Sequence, residues 1–150
     1  MGLFSSLFGG NVRAAAKSTA DLFFEGRQLY GSNEAAYRYT YIFRNNTITR
    51  NAQYPRDHLV SEMFRSGEIG NCTYITVGNL NTGAAPVHTH FMETFASFHE
   101  EISNYLRGFG IPEQYVSGDN RGSTAHIAQF LSKQPIVPPE MWEPLILRKS

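Results

Sequence analysis

The residues best suited to chemistry are His88 and His90, within the stretch PVHTHFMETFASFHEEISNYLRGFG from Pro86 to Gly110. On an extended segment residues i and i+2 face the same side, so both imidazoles could reach one divalent transition metal. Such a site needs a third ligand. Glu93 is near enough in sequence to fold back on the pair, which gives the candidate set His88, His90 and Glu93. His99 and Glu100 are further along, and on a helix His99 would lie roughly 13 Å beyond the pair. The triad is incomplete on spacing, and a polar lead-in to a core helix is the simpler account.

The pair resembles the His-x-His of cupins and of JAMM-type metallopeptidases, and the resemblance would imply metal-dependent chemistry. The chain departs from both patterns. The longer gap to a glutamate and the second histidine motif of cupins are missing, and Ser97 and Glu100 fall out of register with the serine and acid of the peptidases. Neither family is assigned.

A second constellation is Gly118-Asp119-Asn120-Arg121-Gly122-Ser123-Thr124. Glycines, an arginine and hydroxyls ahead of a helix suit an anion, because helix-start amides favour negative charge. Arg121, Ser123 and Thr124 are the candidate ligands. The P-loop lysine and a preceding strand are missing, so a capped loop is the plainer reading. Cys72 sits in an apolar-leaning run, where a buried thiol is inert. His58 beside Asp57 and His126 near Ser123 are single histidines on short helices, which read as surface or packed residues and not as catalytic bases.

These residues must be positioned by the elements around them. Asn11 can cap a helix from Val12 to Tyr30, with Val12, Ala15, Ala16, Thr19, Phe23 and Tyr30 on one face and Gly31 as its stop. Tyr37, Tyr39, Tyr41 and Phe43 alternate at period two, Arg44-Asn45-Asn46 gives a turn, and Thr47-Ile48-Thr49 returns, which predicts a hairpin. The competing reading is a helix from Ser32 or Asn33 with Ala35, Tyr39 and Ile42 inward. His58 to Arg65 reads as a short helix, and Cys72 to Val77 as an isolated strand. Phe91, Phe95, Phe98, Ile102, Tyr105, Leu106 and Phe109 follow helical spacing, ended by Gly108 and Gly110. Thr124 to Lys133 reads as a last helix with Ile127, Phe130 and Leu131 inward. Four prolines after Lys133 predict an extended strap from Pro135 to Ser150.

The predicted fold is therefore α+β: helices on a small antiparallel sheet, a central amphipathic helix at about 91–109, and an extended proline-rich C-terminal tail. The predicted organisation is an apolar N-terminal tip at 1–10, one globular domain at 11–134 and the strap at 135–150.

Composition bounds the function. With 13 basic and 13 acidic residues the formal net charge is zero, so no basic excess supports nucleic-acid binding. A single cysteine excludes an internal disulfide and suits a reducing, intracellular compartment. Gly2 and Ser6 have the spacing read by N-myristoylation, and the first 20 residues carry Arg13 and Lys17 but no acid, a transit-peptide composition that admits an organellar, mitochondrial location. Apolar segments lie at both ends: Leu3, Phe4, Leu7 and Phe8, then Met141, Trp142, Leu145 and Ile146. Such segments are costly to leave in water. The leading expectation is a non-catalytic accessory or structural subunit that binds other protein subunits and has no cofactor. The N-terminus offers contact with a membrane surface. The alternative is a small metal-dependent enzyme built on His88 and His90.

Overall fold

The computed structural model of the protein describes residues 3–51, 69, 70, 73 and 100–148. Of these 81% are helical and none lies in a strand, so the expected α+β architecture with its small sheet is incorrect. The described part is a helical fold. The expected helix at 58–65 and the histidine pair fall outside the described residues. So does the expected strand at 72–77, except Thr73, which is helical.

Helix α1 spans Leu3–Tyr30. It runs through Gly9 and Gly10, which were expected to separate an apolar tip from the helix. Val12, Ala16, Thr19, Ala20 and Phe23 are buried along one side. The helix ends as its sequence predicts: Gly31 takes a φ of 85°, and its N–H donates to the Arg27 carbonyl at 2.8 Å. A left-handed residue closes a helix this way at little steric cost only when it is glycine. Ser32 then caps the next helix, its Oγ accepting the Ala35 N–H at 3.1 Å.

Helix α2 spans Asn33–Asn51, where the hairpin was expected. Every residue from Ala35 to Ile42 is buried. A helix enclosed on all sides loses the one-sided apolar stripe that marks a surface helix. Its tyrosines alternate because each faces a different neighbour. The Tyr37 ring lies 4.9 Å from Tyr115, while Tyr39 meets Tyr30 at 5.9 Å and Trp142 at 5.8 Å. The β-branched Thr40 is accommodated by donating to the Ala36 carbonyl at 2.7 Å. α1 and α2 form a hairpin of helices that come close at Gly26, where an added Cβ would sit 2.6 Å from the Tyr39 ring.

Residues 100–108 form helix α3, with Ile102 and Leu106 buried and Tyr105 and Phe109 packed half-buried against the core. Its end is a Schellman turn. Gly110 at φ 99° donates to the Arg107 carbonyl, and the N–H of buried Ile111 donates to Leu106. The single turn α4, Glu113–Val116, carries buried Tyr115 between Phe23 and Tyr37. A 3-10 turn at Arg121–Thr124 leads into α5, Ala125–Lys133, with Ile127 buried.

The C-terminal strap is not extended throughout. After a short extended passage it forms α6, Pro139–Ile146. Pro139 sits at the helix start, where its missing N–H would have no partner anyway and its fixed φ suits the first turn. Pro144 lies inside the helix at the expense of one backbone bond, and Leu145 and Ile146 remain buried. Among the described residues no helix is long and apolar enough to cross a membrane.

Candidate functional site

Arg38 is the organising residue of the described fold. It lies in the second turn of α2, is 5% exposed, and reaches three backbone carbonyls. Its Nε donates to Ser123 at 2.9 Å, and its Nη1 donates to Ile146 at 3.1 Å and Arg148 at 2.7 Å. Nη2 lies 3.8 Å from Glu34 Oε1. Glu34 Oε2 accepts from the Tyr115 hydroxyl at 3.1 Å and from the Asn120 amide. A buried cation needs this many partners, since desolvation would otherwise outweigh its packing.

Two further side chains of α2 hold the segment before α6. Asn46 is buried and grips Val137 twice: Oδ1 accepts the Val137 N–H at 2.9 Å, and Nδ2 donates to its carbonyl at 3.0 Å. Asn45 Nδ2 donates to the Pro135 carbonyl at 3.2 Å. From α5, His126 Nε2 meets the Leu145 carbonyl at 2.8 Å, so that nitrogen carries the proton. Burial holds the His126 imidazole below its ordinary pKa, and the charges of Arg38 and Arg148 act in the same direction.

Two clefts flank Arg38. One of about 480 Å³ lies between the start of α2 and the end of α6, with Glu34 and Arg148 on its walls. The other, of about 260 Å³, is lined by Arg38, Ser123, His126, Gln129 and Arg148 among others.

On another part of the surface four aromatic rings form a continuous cluster across α1, α2 and α6. Tyr39 contacts Tyr30, Phe43 and Trp142, and Phe43 lies 6.0 Å from Trp142. The Trp142 indole N–H turns inward to the Val137 carbonyl at 2.9 Å. Phe43 is 37% exposed, while Tyr30, Met141 and Trp142 are partly buried.

The candidates named from sequence separate into distinct places. His88, His90 and Glu93 lie outside the described residues. Among the described residues no group of three His, Cys, Asp or Glu side chains is placed to hold a metal. Arg121, Ser123 and Thr124 form the 3-10 turn, but they do not converge. Arg121 donates to the Gly118 carbonyl at 3.2 Å and Thr124 Oγ1 to the Arg121 carbonyl at 2.8 Å, while Ser123 faces Arg38 through its carbonyl. Leu3, Phe4, Leu7 and Phe8 are all within α1. Leu145 and Ile146 are used by the chain's own core, and Met141 and Trp142 pack against it. Sequence reasoning missed Arg38, Gln129, Arg148 and the clamping asparagines. A lone arginine inside a tyrosine run was the one available signal.

Comparison with protein-family models, curated proteins and solved structures finds no match for this chain.

Proposed function

We propose that the protein is a non-catalytic subunit of a larger assembly, docking a protein partner through Tyr30, Phe43 and Trp142, whose rings are grouped around buried Tyr39. The observation that carries this reading is the cluster's continuity across three helices with Phe43 open to solvent. Scattered exposed apolar residues are ordinary, whereas contiguous aromatic surface marks interaction sites. Trp and Tyr dominate interface cores because rigid rings bury much area with few rotors to freeze. Arg38, Asn46 and His126 are already engaged in holding the chain's own backbone, which leaves them little freedom for catalysis. The apolar N-terminal turns of α1 supply a second contact element, with positions 3 and 7, and 4 and 8, in i, i+4 register.

The test is native size-exclusion of an extract from the source cells, comparing wild type with Phe43→Ser. Wild type should elute well above its own 16.9 kDa together with a stoichiometric partner. Phe43→Ser should keep its melting temperature and elute alone. Elution of the wild type as a free monomer would overturn the proposal, and an unaltered complex with Phe43→Ser would remove the cluster from it.

A further inference from the structure

The cleft of about 260 Å³ beside the 3-10 turn has a one-sided charge. Arg38 and Arg148 both line it, and no aspartate or glutamate does. His126 and Gln129, one turn of α5 apart, complete the wall with Ser123. Arg38 has its Nε and Nη1 donors committed to carbonyls and its Nη2 beside Glu34, so Arg148 is the cation the cleft offers to a ligand. Arg148 is exposed and makes no ion pair among the described residues. Ser123 Oγ is buried and has no hydrogen-bond partner among the described residues. An unsatisfied hydroxyl is uncommon enough to call for a missing partner. Exposed positive charge, an amide donor and an orphaned hydroxyl share one chemical complement, an oxyanion.

We propose that this cleft binds the phosphate or carboxylate group of a small molecule, seated against Arg148 and Gln129 with Arg38 behind it. Its volume lies below the roughly 300–1,000 Å³ of pockets that engulf a drug-sized ligand, which suits a single charged group. The site is distinct from the Arg121–Thr124 set that the sequence suggested. Ser123 is common to both, but Arg121 is not among the cleft's lining residues.

The test titrates ¹⁵N-labelled full-length protein with inorganic phosphate, acetate or chloride at matched ionic strength, following the amide resonances of residues 122–129 and 148. A saturable shift with phosphate, and none with chloride, is expected. Saturation by acetate as well assigns any carboxylate, and saturation by phosphate alone assigns a dianionic group. Arg148→Ala and Gln129→Ala should each weaken binding at least tenfold, while Arg121→Ala should change it less than twofold. Arg148→Ala leaves the backbone carbonyl that Arg38 holds, and an unchanged melting temperature confirms that the variant is folded. No saturable shift with phosphate or acetate, or an identical response to chloride, would overturn the proposal. So would a folded Arg148→Ala that binds normally, or an Arg121→Ala that loses binding.

Discussion

Replacing Asn46 by alanine tests how the C-terminal segment is held. Asn46 is 2% exposed and Val137 is fully buried, so neither can turn to water. In Asn46→Ala the Val137 N–H loses its partner, while its carbonyl keeps the Trp142 indole. An orphaned buried donor costs about 1–3 kcal/mol, and the second lost bond adds about 0.5–1.5 kcal/mol. The sum is about 1.5–4.5 kcal/mol, or roughly 3–18 °C in melting temperature for a chain of this size. Urea denaturation gives the free energy directly, and hydrogen exchange at the Val137 amide shows whether the segment loosens first. Asn46→Leu serves as the control, since it restores volume without restoring either bond and should lose as much. A loss under about 0.5 kcal/mol, or full rescue by Asn46→Leu, would refute the reasoning: the clamp would then be packing and not hydrogen bonding.

Two further substitutions and one pH profile follow from the same geometry. Gly26→Ala should destabilise by about 1 kcal/mol or more, because overpacking against Tyr39 at 2.6 Å outweighs the helix preference of alanine. Gly108→Ala meets nothing within 4 Å and should stabilise by about 0.5–1 kcal/mol, so chemical denaturation of the pair must give opposite signs. His126 has a depressed pKa in the folded chain, so the unfolded chain takes up the proton more readily. Its contribution to stability is complete above the ordinary value of 6.5 and falls as the pH drops below it toward the folded pKa. His126→Gln should flatten that part of the stability profile, and a profile of unchanged slope would refute the assignment.

The parts of the fold legible in the sequence are those governed by neighbours along the chain. The end of α1 follows from Gly31, whose positive φ and bond to Arg27 are local events. The end of α3 follows from Gly110, and Ile102 and Leu106 are buried at the spacing their stripe implied. α5 was legible because its apolar residues share one side, Ile127 innermost. The candidate site was hardly legible. Ser123 was named for its position before a helix, and His126 was set aside as a lone histidine.

What the sequence determined by itself is the absence of net charge, the lack of any internal disulfide, and the helices with one buried side and a glycine stop. The tertiary structure decided the rest. Helix α2 is enclosed all round from Ala35 to Ile42, so its period-two tyrosines carried no helical signature and read as strands. The strap folds into α6 because two carbonyls at its end meet Arg38 across 108 and 110 residues of sequence, and because Asn46 grips Val137 across 91. A side chain that bonds to backbone leaves no complementary residue type in the sequence to find, because every residue carries the same carbonyl. Only the folded chain brings donor and acceptor together.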